Sequence, residues 1–156
     1  MNHSEYLQKT IELANESIEN GGGPFAAIVV DPSGNIIGVG QNSVTKNTDP
    51  TAHAEVEAIR DACKKRDSFQ LDDCTLYTSC EPCPMCLGVI YWARPAKVYY
   101  AATKTDAATV GFDDAFIYDE IQKYHDSRSI PFIALPLETK NTPFEKWAFY
   151  ESKINY

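Results

Sequence analysis

Apolar residues recur at two different spacings along this chain. Leu7, Ile11, Ala14 and Ile18 repeat at helical intervals and predict an amphipathic first helix, with Ser4 as its cap. Four short apolar runs predict strands instead, at residues 25–30, 35–40, 75–79 and 97–102. Glycines 21–23 predict a turn after the first helix, and residues 31–34 predict the turn of a hairpin.

Two further helices are predicted between these strands. The apolar stripe of one helix is formed by Ala52, Val56, Ile59 and Cys63, and the basic residues 64–66 suit its C-terminal end. The other helix begins near Pro84 and runs to about Trp92. This alternation of strands and helices predicts an α/β layered domain with some parallel pairing.

The pattern is weaker beyond Thr103. Residues 106–108 and 113–121 predict short helices, and the prolines within 130–137 limit that extended segment to an edge strand at best. A last helix is predicted from Thr142, with a threonine cap followed by Pro143. No repeat or low-complexity linker divides the chain, so residues 1–156 are expected to form a single domain.

Composition narrows the classes of function. The chain has 14 Lys and Arg against 22 Asp and Glu, a formal charge of −8. A nucleic-acid binder is expected to carry a basic surface, so this balance favours a small-molecule substrate and no nucleic-acid partner. No apolar run approaches the ~20 residues of a membrane span, so no membrane association is expected. Five cysteines, three of them within residues 80–86, do not form a disulfide framework, which favours reduced thiols and a cytoplasmic location.

Two motifs about thirty residues apart carry metal-ligand chemistry. The first contains His53 and Glu55, and the second is Pro82-Cys83-Pro84-Met85-Cys86. Zinc binds imidazole nitrogen and thiolate sulfur, and a catalytic site uses three protein ligands so that the fourth position can hold water. We predict that His53, Cys83 and Cys86 are the ligands and that Glu55 carries protons. His-x-Glu followed by Pro-Cys-x-x-Cys is the mark of zinc-dependent base deaminases.

The spacing within the motifs restricts how they can meet. Cys83 and Cys86 are three residues apart and share one face of a helix. His53 and Glu55 are two apart and lie on nearly opposite sides of a regular helix, so both can serve one ion only from an opening turn. Asp49-Pro50 predicts a helix start just upstream, with aspartate as the cap. We therefore expect two helix N-termini to converge on one zinc ion.

The alternative is a closed structural zinc site. In that case the protein would be a zinc-stabilised interaction module and not an enzyme. Such a site needs a fourth ligand, and the available residues are Cys74, Cys80, His3 and His125. None of them stands in a second paired motif, which a four-ligand finger usually shows. The pattern therefore favours the catalytic arrangement.

With its motifs placed on helices that follow strands, the chain resembles the cytidine-deaminase-like superfamily, and within it the small bacterial guanine deaminases. The resemblance covers almost the whole chain and is carried by Pro24-Phe25, Asn42 and Tyr156 and by residues 49–55, 77–86, 91–94 and 111–114. The zinc motifs mark the superfamily. The stretch 111–114 and the aromatic C-terminus narrow the resemblance to guanine deaminases.

The resemblance implies a three-layer α/β/α fold with a mixed five-stranded sheet. It also implies one Zn²⁺ per chain with a bound water or hydroxide, and a homodimer in which the C-terminal helix, about 142–156, is exchanged between subunits. Residues matching the family's substrate site are implied to contact the purine. Asn42 binds the base, Asp114 reads the edge of guanine, Tyr156 closes the pocket from the partner, and Phe25, Trp92 and Ala54 complete the set.

The expected reaction is hydrolytic deamination of guanine to xanthine and ammonia, with Glu55 as the proton carrier. Guanosine and cytidine or deoxycytidylate are alternative substrates, whereas the charge of −8 argues against a tRNA adenosine deaminase. The residue types alone leave two roles open. Asp113 and Asp114 could cap the helix that follows them, and Tyr156 could be a packed or frayed terminal aromatic.

Overall fold

The computed structural model describes residues 1–156 and divides into two units, Met1–Asp114 and Ala115–Tyr156. The first unit contains α1 (His3–Glu19), β1 (Ala26–Val30), β2 (Ile36–Gln41), α2 (Val44–Asn47), α3 (Ala54–Arg66), β3 (Thr75–Cys80), α4 (Pro84–Ala93), β4 (Lys97–Ala102) and α5 (Lys104–Ala108). The second unit contains α6 (Ala115–Gln122), a 3₁₀ turn (His125–Ser127) and α7 (Thr142–Phe149).

The sheet is mixed and has the strand order β2-β1-β3-β4. Strand β1 pairs antiparallel with β2 and β3, whereas β3 pairs parallel with β4. The α/β character and the mixed pairing are confirmed, but the sheet has four strands rather than five. Residues 130–137 form no strand. Pro131 and Pro136 lack the backbone donors that a ladder requires.

Helices cover both faces of this sheet. On one face, Tyr6 of α1 packs with Ile28, Val30 and Tyr77. On the other face, residues of α3 and α4 pack with Ala27, Val29 and Leu76. All five residues of β1 are buried, as expected for a strand covered on both sides. The first unit therefore has the predicted three-layer α/β/α arrangement.

The predicted apolar stripe of α1 is wrong in part. Ile11 and Ile18 are exposed, and the buried residues are Tyr6, Thr10, Ala14 and Ser17. The Thr10 hydroxyl donates to the Leu7 carbonyl, and the Ser17 hydroxyl donates to the Asn42 carbonyl. A helix can bury hydroxyl groups in this way because their hydrogen bonds are satisfied. A periodicity that counts only apolar residues cannot detect such a face.

The cap of α1 also differs from the prediction. Asn2, rather than Ser4, occupies the N-cap position. Its side chain accepts from the Glu5 amide at 3.0 Å, and the Glu5 carboxylate accepts from the Asn2 amide at 2.7 Å. This reciprocal capping box satisfies two donors at once and outcompetes a lone serine hydroxyl.

Helix α3 lies very close to β2 because both contact surfaces consist of small residues. A Cβ atom at Gly40 would collide with the Ala54 carbonyl oxygen and the Ala58 amide nitrogen. A Cβ atom at Gly38 would collide with the Ala58 carbonyl oxygen and would lie 2.7 Å from the Ala62 methyl group. The three alanines, which we call the alanine seam, are completely buried. This contact places the first turn of α3 against the sheet.

The alanine seam was not part of the predicted stripe of this helix. Val56 and Ile59 are buried as predicted, whereas Cys63 is only half-buried. Ala54, Ala58 and Ala62 follow one another at four-residue intervals on the same face. Small residues carry a weak hydropathy signal, and their importance depends on the glycines of another element.

The second unit consists of short elements without a core of its own. Helix α7 runs from Thr142 to Phe149, so residues 150–156 are not helical. The predicted threonine cap is wrong, because Asn141 is the N-cap residue and Thr142 is already helical. No residue of 115–156 is buried. Across both units, every helix is too short or too polar to traverse a lipid bilayer.

We expect Gly40→Ala to lower the free energy of unfolding by about 2 kcal/mol or more, because the added methyl group must displace the backbone of α3. Gly88→Ala is the matched control, since nothing lies within 4 Å of its Cβ position in α4. An alanine there should be neutral or stabilising by up to about 1 kcal/mol. Denaturant unfolding of both variants measures the difference, and equal stabilities would contradict the role of the alanine seam.

Candidate metal centre

The first predicted ligand lies at the very start of α3. The helix begins at Ala54, and His53 is its N-cap residue with an extended backbone. The prediction that Asp49 caps this helix and that Pro50 opens it is wrong. Asp49 Oδ1 instead accepts from the amide and the hydroxyl of Thr51, both at 2.8 Å, in a local turn. Such side-chain turns compete with helix initiation.

The other two ligands lie at the start of α4. Cys83 is the N-cap residue, Pro84 is the first helical residue as predicted, and the Cys86 amide donates to Cys83 Sγ at 3.5 Å. His53 Nδ1 lies 3.4 Å from Cys83 Sγ and 3.5 Å from Cys86 Sγ. Two helix N-termini therefore converge on one point, as the spacing of the motifs predicted.

The separations of these atoms fit one tetrahedral ion. Zinc lies about 2.3 Å from sulfur and about 2.0 Å from nitrogen, so a tetrahedral angle sets the nitrogen–sulfur distance at about 3.5 Å. Both observed distances agree with this value. All three ligand atoms lie within 4.8 Å of one another. His53 Nδ1, rather than Nε2, is the nitrogen that faces both sulfur atoms.

The group of ligand atoms within mutual reach contains three residues, which fits the open type of zinc site. The residues considered as a fourth ligand make other contacts. Cys74 Sγ accepts from Arg66 at 2.9 Å, and Cys80 Sγ donates to the Thr103 carbonyl at 3.6 Å. His3 Nδ1 lies 2.6 Å from the Tyr77 hydroxyl on the α1 face, and in the second unit His125 packs on Phe132.

The pKa values of the two cysteine thiols are shifted in opposite directions. The adjacent Cys86 thiol and the His53 ring stabilise the Cys83 thiolate and lower the pKa of Cys83 to about 4. The hydrogen bond with Cys83 also raises the pKa of His53. The hydrogen bond with Cys83 and burial raise the pKa of Cys86, and the negative charges of Glu55 and Cys83 raise it further, because a second thiolate would be repelled. A divalent cation offsets that repulsion, so this pair of sulfur atoms suits a metal ion.

The Glu55 carboxylate lies beside the ligands and is almost completely buried, with 6% of the residue exposed. Burial raises the pKa of Glu55, because a charged carboxylate is poorly solvated there. The Cys86 thiol donates to Oε2 at 3.4 Å, and the Thr78 hydroxyl lies 3.2 Å from Oε1. A buried carboxyl with a raised pKa next to a metal site is suited to proton transfer.

Asn42 and Phe25 lie at the same end of the sheet as the ligands. The Asn42 amide donates to the Phe25 carbonyl at 3.0 Å, and the Ser43 amide donates to the carbonyl of Ala52 at 2.9 Å, directly before His53. The Asn42 side chain accepts from the Val44 amide at 3.3 Å. These bonds hold Asn42 beside the segment that leads into α3.

Asp114 lies in the loop that precedes α6, and Phe112 of the same loop contacts Phe25. Phe112 packs edge-on against Phe25, with ring centroids 4.9 Å apart and an interplanar angle of 87°. Burial raises the pKa of Asp114, and the nearby negative charge of Cys83 raises it further. Phe112 was not predicted as a site residue, although it lies within the stretch 111–114.

Three predicted substrate residues remain: Ala54, Trp92 and Tyr156. Ala54 is completely buried in the alanine seam. Trp92 is 61% exposed and lies eight residues beyond Pro84, about 12 Å along the axis of α4. Tyr156 belongs to the second unit and is 72% exposed.

Comparison with known families identifies this arrangement. Residues 1–102 match the model of the cytidine and deoxycytidylate deaminase zinc-binding region, and this span contains all three ligands and Glu55. The chain belongs to the cytidine and deoxycytidylate deaminase family. The zinc-binding region of this family therefore contains the three residues that are positioned to bind a metal ion.

Individual deaminases resemble the chain to different extents. It is 56% identical to the guanine deaminase of Bacillus subtilis, with all of both chains covered. The crystal structure of that enzyme superposes with a TM-score of 0.98 over 100% of this chain and 99% of the other. A guanine deaminase structure from Nitrosomonas europaea is 34% identical, with a TM-score of 0.70, and covers 72% of this chain and 65% of the other.

The similarity extends to deaminases that act on nucleic acid. The tRNA-specific adenosine deaminase of Haemophilus influenzae is 36% identical over 69% of this chain and 65% of its own length. Shared zinc motifs therefore do not by themselves identify the substrate.

We expect His53→Ala to weaken zinc binding by ~100-fold or more, because losing a ligand costs more than losing the hydrogen-bond partner of a ligand. Glu55→Gln should keep one zinc per chain, since Glu55 is not a ligand. Cys63→Ser, a half-buried cysteine of α3 outside the centre, is the control and should also keep zinc. Metal analysis after gel filtration measures all three, and a zinc-replete His53→Ala protein would disprove the assignment.

Proposed function

We propose that this protein is a zinc-dependent hydrolase that converts guanine and water to xanthine and ammonia. The observation that carries the proposal is the convergence of three ligands and one buried carboxylate: His53, Cys83, Cys86 and Glu55. The 56% identity to a guanine deaminase over the whole chain supports guanine as the base.

Bound zinc would supply hydroxide at neutral pH by lowering the pKa of a coordinated water from ~16 toward ~7. Glu55 accepts the proton that the water loses and transfers it to the ring nitrogen beside the carbon that bears the amine. That carbon, C2 of guanine, then becomes more electrophilic. The water oxygen bonds to C2, and Glu55 then takes the proton of the new C2 hydroxyl group and donates it to the amine. The C2–N bond breaks, ammonia leaves and the C2 carbonyl of xanthine remains, so one water is consumed for each ammonia released.

The position of Glu55 supports this role. Its burial favours the neutral carboxylic acid more than a solvent-exposed site would, which suits a group that must hold and release protons near neutral pH. Its Oε2 atom lies on the side of Cys86, which is itself a ligand. The carboxyl therefore faces the position where water and substrate would meet.

Selection of guanine is assigned to Asp114 and Asn42. A carboxylate at Asp114 can accept hydrogen bonds from the N–H groups of guanine. The side-chain amide of Asn42 can both donate and accept hydrogen bonds. A base without those N–H groups would leave a partly buried carboxylate unpaired, at a cost of about 1–3 kcal/mol. The packing of Phe112 against Phe25 supports the role of Asp114, because it anchors the loop on which Asp114 lies.

Guanosine and cytidine or deoxycytidylate are the nearest alternatives, since the zinc motifs serve related bases. A tRNA substrate is disfavoured by the formal charge of −8, because phosphate binding needs basic side chains. The match to the tRNA-specific enzyme also covers less of the chain than the match to the guanine deaminase.

We expect purified, zinc-loaded protein to release ammonia from guanine, and to act at least ~100-fold less efficiently on guanosine, cytidine, cytosine and adenine. Glu55→Gln should lower the rate on guanine by ~100-fold or more while it keeps zinc. Coupled detection of ammonia measures turnover, and chromatography confirms xanthine as the product. Preference for another base would reject the guanine assignment, and an active Glu55→Gln protein would remove Glu55 from the mechanism.

We also propose that the protein forms a homodimer in which the C-terminal segment, including Tyr156, completes the site of the partner. Large apolar side chains of the second unit are exposed, among them Ile130, Phe132, Ile133, Leu135, Phe144 and Phe149. Large apolar side chains exposed in such number are typical of a protein that uses part of its surface as an interface. A tail that reaches a neighbouring subunit would cover this surface and close the purine pocket with an aromatic ring.

Complementation between two inactive chains tests this exchange. One chain carries Glu55→Gln with an intact tail, and the other lacks residues 152–156. Exchange predicts that each homodimer is inactive, whereas a purified heterodimer has about half of the wild-type activity, because one of two sites then contains both Glu55 and a tail. A tail that serves its own chain predicts an inactive heterodimer, and this result would contradict the proposal.

A further inference from the structure

The Thr78 hydroxyl touches the proposed proton carrier from inside the sheet. Its oxygen lies 3.2 Å from Glu55 Oε1 and 3.0 Å from the Cys80 carbonyl oxygen, and its single proton can be donated to either acceptor. Thr78 is almost completely buried, with 1% of the residue exposed. A hydroxyl placed so deeply among apolar residues is costly unless it is hydrogen-bonded.

The backbone of Thr78 is held on both sides. In the sheet it pairs with Ala27 of β1 and with Tyr100 of β4. Side chains alternate along a strand, so Thr78 shares a face with Leu76, which packs beneath α3 and α4. Its hydroxyl is therefore fixed relative to the first turn of α3, where Glu55 lies.

The two oxygen atoms of Glu55 face different neighbours. Oε1 faces the Thr78 hydroxyl, and Oε2 faces Cys86 Sγ, at 3.4 Å. A contact that holds Oε1 at the sheet also directs Oε2 toward the metal centre. A hydroxyl can donate or accept, so it can hold Oε1 both before and after the carboxyl takes up a proton.

We propose that Thr78 is a positioning residue for the deamination reaction, which orients the Glu55 carboxyl so that Oε2 faces the reacting water. This inference rests on the proposed role of Glu55 and adds a residue that neither zinc motif contains. Thr78 touches neither the metal ligands in the described hydrogen bonds nor, by this proposal, the substrate. Its effect should therefore fall on kcat rather than on KM.

Three variants test the proposal. Thr78→Val keeps the shape and removes the hydroxyl, whereas Thr78→Ser keeps the hydroxyl and removes a methyl group. Thr10→Val is the matched control, because Thr10 is equally buried and its hydroxyl bonds only within α1. We expect Thr78→Val to lower kcat by ~10-fold or more, with KM changed less than ~3-fold and zinc retained. Thr78→Ser and Thr10→Val should keep kcat within ~3-fold of wild type.

Thermal stability separates positioning from packing. A packing role predicts that Thr78→Ser is the more damaged variant, because it leaves a cavity in the sheet. A positioning role predicts the opposite order for kcat even if Thr78→Ser has the lower Tm. Equal kcat in Thr78→Val and wild type, or equal damage in Thr78→Val and Thr78→Ser, would overturn the proposal.

A crystal structure of zinc-loaded Thr78→Val provides a readout that does not depend on the substrate. We expect the Glu55 carboxyl to be rotated or to occupy more than one orientation, with zinc still bound. A single, unchanged Glu55 orientation would overturn the proposal whatever base the enzyme uses. Failure of wild-type protein to deaminate guanine would instead reject the guanine assignment, and the kcat comparison would then use the base that the panel identifies.

Discussion

The convergence of two helix N-termini is the constraint on which the rest of the site depends. A residue at the N-cap position projects its side chain past the end of the helix, so His53 and Cys83 can approach one point from two directions. Cys86, one turn into α4, completes the triangle. The partial positive charge of both helix ends favours the anionic sulfur and carboxylate groups that meet there.

The sheet determines where those helix ends lie. Strand β3 leads directly into the loop that carries Cys83, and the alanine seam brings the start of α3 against Gly40 of β2. Asn42 follows β2, and Phe25 precedes β1, so both lie at this same end of the sheet. The site is thus formed by the loops at one end of the sheet, and the strands below these loops form a rigid support. Thr78 is a further example, because its hydroxyl lies within β3 and contacts the Glu55 carboxyl from the sheet.

Burial has opposite consequences in the two units. In the first unit it raises the pKa of Glu55, which suits the proposed proton transfer, and it raises the pKa of Cys86. A bound cation would offset the repulsion between the two sulfur atoms. In the second unit the lack of any buried residue leaves roughly forty residues without a core, fewer than usually fold alone without help from a partner or a ligand. An exchanged C-terminal segment would resolve this deficit and supply Tyr156 to a neighbouring site in one step. Stability and catalysis would then both depend on dimer formation.

The sequence by itself determined the chemistry and much of the α/β framework. Ligand identity is a matter of residue type and local spacing, so His53, Cys83, Cys86 and Glu55 could be named, and four strands could be placed, from short-range patterns alone. The tertiary structure decided what depends on contacts between distant segments. It replaced the Asp49 cap by a local turn, left residues 130–137 outside the sheet, buried the polar face of α1, and revealed the alanine seam, Phe112 and the Thr78 contact with Glu55. Small and hydroxyl-bearing residues have almost no periodic signal, because their role is defined by the partner that the fold brings within a few ångströms.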